Sequence, residues 1–534
     1  MTENSGGKRK FVRVGRGLVW VAAPALLLAA LVFVNARLNG GSGRWIAPTG
    51  DSAVWPSGGR LFLASVGLAA AATWVAALLG VPFGVSLGRR PRTIMAALAF
   101  VPLLVPAHLA AYLWRFTLED VFAAFTGGAG LWRTAAGRFL GGAWTLGAML
   151  WPLVALPTAM SMFVRGNRLE QELATLAPPR AVFWRAVMPG LLPGMLAGAG
   201  AVFLLALSNY GVPLMWDLPS QNVAVFARLA AFYEPGRALV MSLPLLGVVF
   251  VCCAAALLWA LAGRHAVDIG EWTLRAPCGR GRTGTSVRVF AAITLLATVG
   301  GPLASLAASP SWFRGMRAEF VAGLDPFVNG VGLALMGAAG SVALGVGLAR
   351  LLRRARRAWH VTVEMIGLCL LFMPATILCV ALSTMQSGPA PLVAVYRSAG
   401  IFLVAFGLRF FYIPWKIASI VQRLQGPPHE DMMRLMGLPW FARARLAFGG
   451  VLKPAVTVSA LIVFALALGE LEIATFLYPP GWRPVSVFLD NLMHYGRSAD
   501  VVQWSAIVVL TEAAIAWILL AAGLSQWRTL RAAA

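Results

Sequence analysis

Charge is scarce in this sequence. Asp, Glu, Lys and Arg make up only 12% of 534 residues, against about a quarter in soluble domains. A mean hydropathy of +0.77 excludes a water-soluble surface over that length. Lysine occurs only at Lys8, Lys10, Lys416 and Lys453. None of the four stands in a G-x-x-x-x-G-K-[ST] loop, which excludes P-loop ATP hydrolysis by this chain. Energy for uphill work would then come from a partner or an ion gradient. The five cysteines (Cys252, Cys253, Cys278, Cys369, Cys379) fall in apolar runs or on the expected cytoplasmic side, so free thiols are expected rather than a disulfide framework. His108, His265, His360, His429 and His494 are scattered, with no i, i+4 pair and no cysteine nearby, so no metal centre is expected. Neither Ser-His-Asp nor Cys-His spacing emerges, and no enzymatic activity is expected.

What the chain has is apolar length. Runs able to supply the roughly 20 residues of a membrane span begin near Gly17, Leu61, Ile94, Ala143, Leu191 and Leu239, and again near Val289, Val328, Val361, Gly400, Leu452 and Ser505. The expected fold is an all-α integral membrane protein of about a dozen spans. The first run is longer than the apolar core of a signal peptide, about 7–15 residues, and reads as a retained helix. Pro102, Pro106, Pro152, Pro374 and Pro414 lie inside such runs, where kinked membrane helices tolerate them. Gly194 and Gly198, and Gly337, Gly340 and Gly345, offer small surfaces for close helix packing. Trp114, Trp132, Trp216, Trp312 and Trp482 lie near expected outer boundaries, as interfacial anchors.

The net charge of +24 does not point to nucleic acid. Basic residues gather in short tracts between apolar runs, as at Arg89, Arg90 and Arg92 and at Arg350, Arg353, Arg354, Arg356 and Arg357. With both termini in the cytoplasm, most of them fall on the inner side, as membrane orientation requires.

The sequence also repeats itself. Tyr233-Glu234-Pro235-Gly236-Arg237-Ala238 is echoed 260 residues later by His494-Tyr495-Gly496-Arg497-Ser498-Ala499, and Glu170 is matched by Glu430 at the same offset. The basic tracts recur at a similar distance. The reading is two parallel six-helix repeats, 1–263 and 289–534, joined by a polar, Gly-containing linker at 264–288.

Each half carries one long segment before its fifth span. The first runs from Glu170 through Ala174 to Ala177, then Pro178-Pro179-Arg180; the second runs from Glu430 through Arg434 to Gly437, then Leu438-Pro439-Trp440. Each reads as a short amphipathic helix, a small-residue turn seven positions after its glutamate, and a basic-aromatic stretch entering the membrane. The pattern resembles the EAA loop of permease subunits in binding-protein-dependent ABC importers. Ala177 stands in place of the family's glycine, and Arg434 in place of a small residue. A second likeness lies in Gly469-Glu470-Leu471-Glu472-Ile473-Ala474-Thr475 with Tyr478-Pro479-Pro480-Gly481-Trp482, which is similar to the last outer loop of fused iron(III)-type permeases, relatives of thiamine, polyamine and phosphonate permeases.

These resemblances imply a type I ABC importer fold in a bacterial inner membrane. They also imply docking of two ATPase subunits at the two loops, with ATP bound there and no cofactor in this chain. A periplasmic binding protein would sit above, with ferric iron as expected cargo and thiamine, polyamine or phosphonate left open. Glu470 and Glu472 are candidates to line the path, with Ser208, Asn209 and Tyr210 at the matched place in the first half. Among other ionisable groups in apolar runs, Glu364 and Arg409 are expected to pair, and Glu512 stands apart. An ion-coupled carrier working through such an acid is the alternative; a polytopic enzyme lacks a catalytic cluster.

Overall fold

The computed structural model describes residues 58–89, 93–121, 130–163, 172–173, 176, 178–261, 285–300, 318–439, 442, 452–494 and 498–533. Among them every regular element is helical. The run at Gly17 and nearly all of the 264–288 linker lie outside the described residues.

The first half contains α1 (Gly58–Arg89), α2 (Thr93–Leu104), α3 (Ala107–Phe116), α4 (Ala135–Leu150), α5 (Pro152–Ser161), α6 (Met188–Leu207), α7 (Gly211–Met215), α8 (Gln221–Ala230) and α9 (Pro235–Leu261). After α10 (Thr285–Leu295) come α11 (Ala318–Leu351), α12 (Arg357–Phe372), α13 (Ala375–Ser383), α14 (Ala390–Tyr396), α15 (Gly400–Phe410), α16 (Tyr412–Leu435), α17 (Lys453–Leu468), α18 (Glu472–Leu477), α19 (Val485–His494) and α20 (Ser498–Ala533). Among the described residues, four helices are long and apolar enough to cross a membrane, or up to eight spans if each bent pair counts as one. Three shorter apolar helices, Arg288–Gly300, Ala455–Leu468 and Gln503–Ile515, accompany them.

Prolines place the sharpest bends. Pro106 (φ −54°, ψ 136°) and Pro374 (φ −54°, ψ 132°) each stand just before a helix in extended conformation, the geometry a proline nitrogen without a hydrogen favours at a helix start. They turn α2 into α3 by 100° and α12 into α13 by 101°. Trp151, between α4 and α5, and Phe411, between α15 and α16, share φ/ψ near −55°/−26° (−55°/−27° and −56°/−25°). Ser208 after α6 and Gly469 after α17 are likewise alike, at −88°/−4° and −84°/−4°.

Small residues bring the backbones together. α1 packs on α4, α5 and α6, and α11 packs on α15, α16 and α17. A Cβ added to Gly84 on α1 would lie 2.5 Å from the Ala155 carbonyl oxygen, and one on Gly340 of α11 would lie 2.5 Å from that of Leu403. The expected Gly194–Gly198 surface does seat α6 on α5, against Pro157 and Leu153. Because lipid removes the hydrophobic drive between helices, such close approach carries much of the association. Gly84→Leu is therefore expected to prevent stable packing of α1 on α5, and detergent thermal unfolding should show a lower midpoint or no folded fraction.

The halves interlock crosswise: α9 lies against α12, and α20 against α2. Two expectations are corrected here. Trp216 is no interfacial anchor but fully buried; its indole N–H donates to Thr145 Oγ1 (3.1 Å), and glycine at 141 leaves room for its ring. The segment at Glu430 is no separate short helix but the last turns of α16, which runs unbroken for 24 residues.

Candidate functional site

A cavity of about 360 Å³ opens where the helix breaks of the two halves meet. Pro106 and His108 reach it from the α2–α3 bend, Ser208–Gly211 from the α6–α7 break, Gly469–Glu472 from the α17–α18 break, and Arg409 from α15. The sequence-derived candidates Ser208, Asn209, Tyr210, Glu470 and Glu472 thus come together on one wall system, contributed by both halves.

Their polar groups are largely committed to holding the breaks. Ser208 Oγ donates to the Phe372 carbonyl oxygen across the interface between halves. Its counterpart Gly469 rests on Pro106, with a virtual Cβ 3.1 Å from that ring. Each half's break therefore abuts the proline bend of the other. Asn209 Oδ1 accepts from the Val212 N–H (2.9 Å), starting α7. Tyr210 is buried, its ring stacked on Phe226 at 4.2 Å, and Phe226 in turn meets Phe476 of the second half at 4.8 Å.

The acids are also spoken for. Glu470 Oε2 lies 3.5 Å from Arg409 Nε, while Arg409 Nη1 donates to the Met373 carbonyl oxygen at 3.0 Å. Glu472, 7% exposed, accepts from the Thr376 N–H at 3.1 Å, so its carboxylate sits on the N-terminus of α13, where the helix dipole favours negative charge. The expected Glu364–Arg409 pair does not form. Glu364 instead bonds Lys416 and the Tyr412 hydroxyl on α16, because Arg409 points along α15 towards the helix break. Sequence reading missed Arg409 and His108 as cavity residues. The signal was available in Pro106 and Pro374, whose equivalent positions mark both bends.

Of the docking-loop candidates, Glu170, Ala174, Ala177 and Trp440 lie outside the described residues. Arg180 is exposed in a short turn of helix at Pro179–Val182. Glu430 and Arg434 occupy the last turns of α16, and Gly437 follows with φ +66° and no described atom within 4 Å of a Cβ built on it. This left-handed residue ends the helix as glycine commonly does. Beside it Met432, Leu435 and Met436 are 60%, 87% and 71% exposed.

No protein-family model matches the chain, and neither does any solved structure. Among curated proteins, the molybdenum transport system permease protein ModB of Mycobacterium bovis is 30% identical over 240 residues, covering 43% of this chain and 89% of the relative. ModB of Mycobacterium tuberculosis matches to the same extent. The chain belongs to the ABC importer permeases. As such a permease it is a multi-pass inner-membrane transport subunit of a system with ATPase and binding-protein partners. The iron(III)-type likeness of the last outer loop finds no support in these relatives, which are named for molybdenum.

Proposed function

We propose that this permease is a fused pair of parallel six-helix repeats, 1–263 and 289–534 around the 264–288 linker. It would pass cargo through the cavity between the helix breaks. What carries the reading is the doubled geometry: bends of 100° and 101° and twin break dihedrals at Ser208 and Gly469, all meeting at one cavity. Two ATPase subunits would dock at Glu170–Arg180 and Glu430–Trp440 on the cytoplasmic side, where both termini also lie, and their closure would rock the halves. The exposed apolar cluster at Met432, Leu435 and Met436 suits a protein partner.

For cargo, an oxyanion such as molybdate is the better reading than ferric iron. A ferric ion needs free carboxylates, and Glu470 and Glu472 are already engaged by Arg409 and by α13. Proteoliposomes holding the permease, its ATPase and its binding protein are expected to take up labelled molybdate only with ATP. Uptake of iron and not molybdate would overturn the cargo; uptake without the ATPase would overturn the importer reading.

One observation favours ion coupling instead. Glu512 on α20 is 1% exposed and, among the described residues, neither carboxylate oxygen has a hydrogen-bond partner, as in the proton relays of carriers. In the importer reading Glu512→Gln leaves ATP-driven uptake within about twofold of the parent. Loss of uptake in that variant would favour the carrier.

A further inference from the structure

The seam between the halves carries two thiols that touch. α9 of the first half lies against α12 of the second. Their contact is an apolar cluster, with Leu204, Val249, Cys253 and Leu257 on one side and Val361 and Met365 on the other. Cys369 of α12 packs against this cluster, and the Cys253 thiol hydrogen-bonds to its sulfur. The bond therefore runs from one half to the other.

A buried cysteine is ordinarily a small apolar side chain whose thiol does nothing. Cys379 is such a case, enclosed within the second half with its thiol on the Glu472 carbonyl oxygen at 4.0 Å. Two features set Cys253 and Cys369 apart. They face each other across the seam, and they differ in exposure. Cys253 is 2% exposed, whereas Cys369 is only half-buried. A reachable thiol beside an enclosed one suits stepwise oxidation, in which the second sulfur resolves the first.

We propose that Cys253 and Cys369 form an oxidation site at the seam, which an organic hydroperoxide converts to a disulfide joining the halves. The Cys369 sulfur attacks the terminal oxygen of the hydroperoxide and the O–O bond breaks. The thiol proton goes to the departing alkoxide, so an alcohol leaves and Cys369 becomes a sulfenic acid. The Cys253 sulfur then attacks Cys369, the S–O bond breaks, and the second thiol proton leaves with the hydroxide as water. One hydroperoxide is thereby reduced to alcohol and water while two thiols are oxidised. The leucine, valine and methionine side chains around the pair favour an apolar oxidant over one dissolved in water. A disulfide holds its two Cα atoms about 4.4–6.8 Å apart, so α9 and α12 could no longer part at this level. Its effect on transport rests on the rocking of the halves proposed above.

The test treats the permease–ATPase complex in liposomes with cumene hydroperoxide, blocks the remaining thiols and digests the protein without reductant. Mass spectrometry is expected to find the Cys253 and Cys369 peptides joined. ATP hydrolysis by the oxidised complex, which assumes nothing about cargo, should fall at least tenfold and return with dithiothreitol. Cys253→Ala and Cys369→Ala should hydrolyse ATP within about twofold of the parent and keep doing so after the same treatment. The crosslink is read in the parent chain, so it does not depend on either variant folding. No crosslink, or one to a different cysteine, would overturn the site. A crosslink with hydrolysis unchanged would overturn the lock, because that part of the seam would then not move. An equal loss in both alanine variants would overturn it too, by placing the damage elsewhere. Failure of the importer reading looks different: no ATPase is retained, and the crosslink still forms in the permease alone.

Discussion

Gly437→Val is expected to cut ATP-driven uptake at least tenfold while the protein still inserts and folds. Gly437 has φ +66°, a conformation that costs an L-residue about 1–2 kcal/mol and a β-branched one more. Among the described residues no atom lies within 4 Å of a Cβ built there, so the penalty argued here is that of the backbone. The chain relieves it by leaving the left-handed region, which re-aims everything after the end of α16. The exposed Met432, Leu435 and Met436 would then face a different direction relative to the segment that follows. Uptake in proteoliposomes and the amount of ATPase retained in a mild-detergent pull-down should fall together. Gly437→Asn should retain most of both, since asparagine tolerates this conformation. Full activity in the valine variant would remove the turn from any docking role.

Arg409→Met is expected to destabilise the fold strongly. Arg409 and Glu470 side chains are 9% and 16% exposed, and the guanidinium joins the carboxylate to the carbonyl oxygen of Met373. Removing one partner of a buried pair typically costs about 3–5 kcal/mol, because the other charge is left alone. The detergent unfolding midpoint should drop by many degrees, or the protein should be lost from the membrane fraction. The double variant Arg409→Met, Glu470→Gln should recover most of that stability, since neither charge then remains. An unaltered midpoint in the single variant would show that the ion pair contributes nothing.

Much of the architecture was legible in the residues. Glu170 and Glu430 stand 260 residues apart in the sequence, and Trp151 and Phe411 are separated by that same interval with nearly equal dihedrals. The polar tripeptide at Ser208 and the acids at Glu470 and Glu472 proved to share one cavity because each directly follows a membrane helix that stops short of its partner's proline bend. Side-chain partners were not legible. Arg409 is nearer in sequence to Tyr412 and Lys416 than to Glu470, and only the bend at Pro374 brings the Met373 carbonyl within its reach. Trp216 looked like a boundary residue because hydropathy carries no information on which tryptophan finds a gap; the gap is made by Gly141, 75 residues earlier. The continuity of α16 was not legible either, since Pro427 and Pro428 lie inside it and prolines inside a soluble helix break or kink it.

Ser208 on Phe372 and Gly469 on Pro106 form a reciprocal pair of latches, one on each side of the seam between halves. In the rocking motion proposed above, both contacts would part as the halves separate. A stroke delivered to one side alone would leave the contact on the other side still made, so opening would proceed most readily with the two sides driven in step.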